Sequence, residues 1–296
     1  MSVYPKITVV TPSYNSKKTI EETIKSVVYQ GYPNLEYIII DGGGDDSFRI
    51  IQKYEKHLAH WVSEPDEGQY HAIEKGYSLG SGKILYSINA DDIMLPGSLF
   101  VAAEIFSKFD GVDWLSTLRP GRWDASGRLS GIGALPGFSR EAFLDGFFLP
   151  GTRSCGHWIQ YESTFFKSSL WRKIGAKFPT HGLAGDFALW CEMYKHADLY
   201  GCGYPLAGFR FVSGQRSEAM NQYLKEGKAA LDQLRRDLGW SPYRIRSVLG
   251  GMRLKKYSKV GEGVAKAIGY RGNRIVNRDP RSLPPQWEIE TYRWLP

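Results

Sequence analysis

The sequence predicts an α/β protein built on an open, mostly parallel sheet flanked by helices, followed by a helical, basic C-terminal extension. Three observations carry that expectation. Short β-branched runs alternate with amphipathic stretches through the N-terminal third, the β-α-β-α order of a parallel sheet. One run, Tyr37-Ile38-Ile39-Ile40, is apolar on both faces, as a strand covered on both sides must be. Positive charge also gathers late: residues 235–281 hold 13 Lys and Arg against 3 acids, although the whole chain is only +7, so the remainder is slightly acidic.

The elements follow in order. Ile7-Thr8-Val9-Val10-Thr11 reads as a strand ending in the polar turn Pro12-Ser13-Tyr14-Asn15. Ile20, Ile24, Val27 and Val28 share a helical face, entered through Ser16 as N-cap or through a Thr19/Glu22 capping box, and closed by Gly31 and Pro33. The buried strand ends at Asp41-Gly42-Gly43-Gly44. Helices are predicted over 47–58 and 69–79, with a short strand at Trp61-Val62 between them. Ile84-Leu85-Tyr86-Ser87-Ile88 then runs into Asn89-Ala90-Asp91-Asp92. Strands are expected over 113–118 and 128–132, joined across Asp124-Ala125-Ser126-Gly127, and a further strand carries Trp158, Gln160 and Glu162. Helices are expected over 140–144 and 186–196. A long one begins near 217, with Met220, Tyr223, Leu224, Leu231, Leu234 and Leu238 on one face.

Composition narrows the class. At 296 residues and 42% hydrophobic, the chain can bury one large core or two modest ones, here expected as domains 1–216 and 217–296, and a mainly disordered state is excluded. No run of about 18 apolar residues offers a membrane span. Residues 1–11 read as a strand rather than a leader, so a cytoplasmic location is expected. Cys155, Cys191 and Cys202 are too few and too scattered for a disulfide framework or a Cys-based zinc site.

Ligands of an open parallel sheet gather at the carboxyl ends of its strands. Three acidic turns fall there: Asp41, Asp66 in Glu64-Pro65-Asp66-Glu67-Gly68, and Asp91-Asp92. Singly each is an ordinary turn acid; together they point to a site. Adjacent carboxylates repel unless a cation or strong donors hold them, and hard divalent ions take carboxylate and phosphate oxygens. Asp91-Asp92 therefore suits a metal-bound diphosphate, or equally a solvated turn or N-cap ahead of Pro96.

Thr8-Val9-Val10-Thr11-Pro12-Ser13-Tyr14-Asn15, Ile39-Ile40-Asp41-Gly42-Gly43, the Asp66 turn, Glu74-Lys75-Gly76, Asn89-Ala90-Asp91-Asp92, Glu162-Ser163-Thr164-Phe165-Phe166 and Gly185-Asp186-Phe187-Ala188-Leu189-Trp190 form an ordered series across roughly residues 5 to 215. The series resembles the family 2 glycosyltransferases of GT-A fold, of the type that builds bacterial polysaccharides and glycans. The resemblance implies an inverting transfer from a nucleotide-diphosphate sugar, UDP favoured, to a glycan or polyprenyl-diphosphate-linked acceptor, assisted by Mn²⁺ or Mg²⁺. It implies that Thr11, Pro12, Tyr14, Asp41, Asp66, Asn89 and Asp91 line the nucleotide pocket and that Lys75 reaches the diphosphate. Asp92 is then the direct metal ligand, with Asp91 as the ribose or water-mediated contact. Asp186 matches the family's general base, with Gly185 standing where many relatives carry Glu. Trp158, Gln160, Glu162, Trp190 and Arg210 fall on the donor-sugar and acceptor side, and either Arg210 or Arg216 is a candidate phosphate contact. The segment 210–215 lacks the late His that some members use on the metal. His157 and His181 flank the acceptor side; His57, His60, His71 and His196 read as surface or packing residues.

Arg244, Arg246, Arg253, Lys255, Lys256 and Lys259 interleave with Ile245, Val248, Leu249, Met252 and Leu254. A helix with one basic and one apolar face suits an anionic membrane surface, so a peripheral position on the inner face is expected; nucleic acid is disfavoured for want of any accompanying motif. Two other functions compete with this reading. A sugar-nucleotide pyrophosphorylase needs a Gly-rich basic loop where Pro12-Ser13-Tyr14-Asn15 stands. A non-catalytic sugar or nucleic-acid binder on the same fold differs at Asp186. An NAD-dependent oxidoreductase is excluded because no Gly-x-Gly-x-x-Gly joins a strand to a helix.

Overall fold

The computed structural model describes residues 4–150, 158–242, 259–279 and 281–295. In chain order the elements are β1 (Ile7–Ser13), α1 (Ile20–Val28), β2 (Leu35–Asp41), α2 (Ser47–Lys53), β3 (His60–Ser63), α3 (Gln69–Leu79), β4 (Ile84–Ser87), β5 (Ile93–Met94), α4 (Ser98–Lys108), β6 (Trp114–Thr117), β7 (Gly121–Trp123) and β8 (Leu129–Ile132). They continue as α5 (Arg140–Leu144), β9 (Phe165–Lys167), α6 (Ser168–Lys173), α7 (Gly185–His196), β10 (Leu199–Cys202), β11 (Ala207–Arg210), α8 (Met220–Asp237), α9 (Lys259–Ile268), β12 (Tyr270–Asn277) and β13 (Trp287–Trp294).

Nine strands form the central sheet in the order β13-β12-β10-β6-β9-β4-β1-β2-β3. β1 is parallel to β2 and β4, and β2 to β3, whereas β9 runs antiparallel to β4 and β6. Period-2 alternation sends neighbouring residues to opposite faces. Val9 and Ile39 therefore join one core with Ile24, Val27, Leu99 and Ile105, while Val10, Ile38 and Ile40 join the other with Ile73, Tyr77, Phe166 and Trp190. Both faces are dry, so truncating Ile39 to Ala is expected to cost about 2–5 kcal/mol. Gly76 brings α3 onto the sheet: an added Cβ would collide with Val10. A second sheet, β5-β11-β7-β8, sits beside the carboxyl end of β4 and carries Arg210.

Five local expectations are corrected. Asp124-Ala125-Ser126-Gly127 joins β7 to β8, not the 113–118 strand, because Asp124 Oδ1 accepts from the Ser126 and Arg128 N–H groups and closes a tight antiparallel turn. Segment 158–160 is not a strand; a 3-10 turn, Tyr161–Ser163, leads into β9. The 47–58 helix ends at Lys53 and resumes as a 3-10 turn, Glu55–His57. Neither cap proposed for α1 forms: the Thr19 side chain caps nothing, Ser16 Oγ donates to the Tyr14 carbonyl, and Glu22 pairs with Arg210. Finally, the described part of the extension beyond 217 is not all helical: α8 and α9 are followed by two strands. β12 and β13 extend the main sheet, seated by Tyr270, Ile275, Trp287 and Trp294.

Cys191 and Cys202 are buried free thiols, and Cys155 lies outside the described residues. The basic stretch 244–256 lies outside them as well, as do His157 and the side chain of Lys259. Among the described residues no helix is long and apolar enough to cross a membrane.

Candidate functional site

The carboxyl ends of β1 and β4, the N-terminus of α7 and the segment after β11 enclose a cleft of about 1150 Å³. Asn15 takes a left-handed conformation, φ 52°, which Asn tolerates better than most residues, and so turns the chain from β1 along the cleft rim. Pro12, Tyr14, Asp66, Asn89, Asp91, Trp158, Glu162 and Asp186 all line this cleft, so eight of the residues singled out from sequence converge. Asp66 lies against the backbone of Gly42, where an added Cβ would stand 2.8 Å from its Oδ2, and its Oδ1 accepts from Gly68 N–H at 2.7 Å.

Asp91 and Asp92 divide their tasks by burial. Asp92 is fully buried beneath the cleft: Oδ1 accepts from Arg210 N–H at 2.9 Å, and Oδ2 from the Asn89 amide at 3.1 Å. Burial, then the nearby Glu162 and Asp91 carboxyls, hold its pKa well above the usual aspartate range. Asp91 faces the cleft and accepts from Gln215 Nε2 at 2.7 Å, and burial raises its pKa too. Asp91 thus opens to the cleft, whereas Asp92 lies beneath it. Glu162, 3% exposed, is pushed up to about 8, by burial first and by Asp91 and Asp186 among its neighbours.

These residues fit a hard cation. Glu162 Oε1 has no hydrogen-bond partner, and Asp91, Asp92 and Glu162 crowd like charges into one buried floor. No group of three or more His, Cys, Asp or Glu is preassembled as a metal centre among the described residues. A cation held here would take one or two carboxylates and complete its shell with substrate phosphate and water, the habit of Mg²⁺.

Asp186 occupies the first turn of α7. Its own N–H donates to Tyr70 Oη at 3.1 Å, its Oδ1 accepts from Phe187 N–H at 2.7 Å, and its Oδ2 accepts from Tyr223 Oη at 3.3 Å. Burial lifts its pKa to about 6, against the lowering pull of the Phe187 amide, the Tyr223 hydroxyl and the Arg216 charge. Arg216 lines the same wall with its guanidinium 5.8 Å from the Tyr70 ring centroid, and its contacts to Gln69 and the Gly182 carbonyl are long, 3.4 Å each.

Several predicted residues lie elsewhere. Thr11 is buried on Tyr37 Oη at 3.0 Å. Asp41, fully buried, accepts from Ser13 Oγ at 2.7 Å and Ser63 Oγ at 2.6 Å, outside the cleft lining. Lys75 pairs with Glu64 and does not line the cleft. Gln160 is buried, donating to the Gly121 carbonyl at 2.8 Å. Trp190 is core, 5.6 Å from Trp114 and 5.8 Å from Tyr161 between ring centroids. Arg210, 2% exposed at its side chain, pairs with Glu22. His181 pairs with Glu74 at 3.0 Å.

Sequence reasoning missed Gln69, Tyr70, Tyr161, Gln215 and Tyr223, all of which line the cleft. Gln69 and Tyr70 had a usable signal, since they directly follow the Asp66 turn at the same sheet edge. Gln215 and Tyr223 had none: each meets its acid partner from a distant part of the chain.

Comparison with known proteins bears on the family and the fold. A model described as "Glycosyl transferase family 2" matches residues 8–152. An uncharacterized glycosyltransferase of Mycobacterium tuberculosis is 33% identical over 193 residues, 63% of this chain and 68% of that one. A Campylobacter jejuni GalNAc(5)-diNAcBac-PP-undecaprenol beta-1,3-glucosyltransferase is 24% identical over 203 residues, 66% of this chain and 62% of its own. Among solved structures, Staphylococcus aureus TarS 1-349 in complex with UDP-GlcNAc superposes with TM-score 0.60 at 16% identity, covering 82% of this chain and 70% of its own. Mannosyltransferase PcManGT from Pyrobaculum calidifontis, in complex with GDP-Man and Mn²⁺, gives 0.53 at 16%, covering 88% and 82%. At such identities the structural likeness establishes the fold.

Proposed function

The chain belongs to glycosyl transferase family 2, and from that premise we propose that it moves a sugar from a nucleotide-diphosphate donor, UDP preferred, to a hydroxyl of a glycan or polyprenyl-diphosphate-linked glycan, with inversion at the anomeric carbon. The observation that carries the reading is the pairing, in one cleft, of a buried acid floor at Asp91 with a single acid at Asp186 whose pKa is raised to about 6. A UDP-sugar complex in TarS and an undecaprenol-linked substrate in the Campylobacter relative's name support the donor and acceptor classes.

Pro12, Tyr14, Asp66 and Asn89 bind and orient the nucleotide. Asp91 would hold Mn²⁺ or Mg²⁺, which supplies charge neutralisation to the leaving nucleoside diphosphate. Arg216, one of the phosphate contacts considered from sequence alongside Lys75 and Arg210, turns from its long contacts to meet phosphate oxygens. Asp186 takes the acceptor hydroxyl proton as that oxygen attacks the anomeric carbon; Phe187 N–H and Tyr223 Oη fix the carboxylate's direction, and its raised pKa makes it a stronger base than an exposed aspartate while leaving it ionised at pH 7. Trp158, 36% exposed at the cleft wall, offers a ring face to a sugar. The basic stretch 244–256 brings the enzyme to an anionic membrane surface.

The test is transfer from a panel of nucleotide sugars with and without Mn²⁺, with the product's anomeric configuration read by NMR. Metal-dependent transfer with inversion is expected. Retention of configuration would refute the single displacement.

A further inference from the structure

Glu162 stands out among the cleft acids because one of its two carboxyl oxygens, Oε1, has no donor. Both Asp92 oxygens have donors, Arg210 N–H and the Asn89 amide, and Asp91 Oδ2 has the Gln215 amide. Glu162 Oε1 has no partner, although the residue is only 3% exposed and lines the cleft. Arg210, the guanidinium beneath this floor, is paired with Glu22 instead.

The backbone holds Glu162 in this position. Tyr86 Oη donates to its carbonyl at 2.5 Å. Gln160 ties the turn to the Gly121 carbonyl, Thr164 Oγ1 donates to the Gln160 carbonyl at 2.8 Å, and Ser163 Oγ reaches the Ala207 carbonyl at 3.3 Å. A turn anchored to β4, β7 and β11 cannot easily swing its carboxyl out to water. A rigid, buried carboxylate oxygen without a donor, beside a second carboxylate that faces the same cleft, is the arrangement a hard divalent cation satisfies.

We propose that Glu162 is a second protein ligand of the divalent cation, acting with Asp91 and supplied by the turn before β9 rather than by the strand-end acid pair. The inference rests on the proposed cation-assisted reading and adds to it the residue that completes the protein's share of the ligand set, in a chain whose 210–215 segment offers no His.

The experiment titrates Mn²⁺ alone, without nucleotide, into the full-length wild type, Glu162→Gln and Glu162→Asp, followed by calorimetry and by the Mn²⁺ electron paramagnetic resonance signal. Glu162→Gln is expected to weaken Mn²⁺ at least about tenfold, and Glu162→Asp to weaken it less. UDP binding in EDTA stays unchanged in both. Should Glu162→Gln fail to fold, Glu162→Asp carries the test alone. Wild-type Mn²⁺ affinity in the folded variants overturns the inference, and if the donor KM rises meanwhile, Glu162 belongs to a sugar hydroxyl instead. Failure of the wild type to bind Mn²⁺ with or without UDP would overturn the cation-assisted reading itself, a different result from unchanged affinity in the variants.

Discussion

At the floor of the cleft three carboxyls, Asp91, Asp92 and Glu162, gather, burial raises the pKa of each, and Asp91 raises those of Asp92 and Glu162 further; in another part, Asp186 heads α7 with an amide and a phenol donating to it. Both acid sets are shifted upward by burial, yet the surroundings differ. Crowded like charges lose their cost when a cation arrives, so the floor is built to bind. A single acid with fixed donors and a pKa of about 6 is built to exchange a proton near neutrality. The contrast teaches that a raised pKa does not by itself assign a role; what lies around the acid does.

The largest effect is expected at Asp186. Asp186→Asn should lower turnover roughly 10²–10⁴-fold, with no rescue by added metal and with UDP affinity unchanged. Its stability follows from the sign of the shift. A pKa raised on folding means that stability falls as pH climbs from the ordinary aspartate range to about 6. The Asn variant therefore lacks that loss and should melt at no lower temperature at pH 7, as differential scanning calorimetry would record. Next, Asp91→Asn should lower turnover at least about 10²-fold, the loss of several kcal/mol of charge stabilisation, and excess Mn²⁺ should restore part of it. Rescue of Asp186→Asn by metal, or none for Asp91→Asn, would erase the distinction between the two parts. Arg216→Ala should raise the donor KM about tenfold or more, as loss of a charged hydrogen bond does, leaving metal affinity intact. Lys75→Ala should change steady-state rates less than about twofold, since an exposed ion pair with Glu64 is worth little.

Much of the fold was legible because the sheet's centre is covered on both faces. Tyr37-Ile38-Ile39-Ile40 has one physical explanation, a strand covered on both faces. Asp91's place at the cleft was legible as an acid at a strand end, and that of Asp186 through the family resemblance. Burial was harder to read. Nothing local distinguishes Asp41, enclosed by two serines, from Asp66 on the rim, or Asp92 beneath the floor from Asp91 above it. Gln160 was misread because 158–160 is not a strand; Trp190 lies on a helix that was expected, but on its buried side, against Trp114 and Tyr161. β12 and β13 were missed because few of their residues are fully buried, half of β12 being intermediate and half of β13 exposed, which leaves a weak pattern among basic residues.

The central claim, that Asp186 is the base, is tested most directly by the pH dependence of kcat/KM for the wild type and Asp186→Asn. The carboxylate must be ionised to accept a proton, so the wild-type rate should rise with pH through an apparent pKa near 6 and level off above it. The residual rate of Asp186→Asn should show no such limb. An Asn variant that keeps wild-type turnover, or keeps the same limb, would contradict the account.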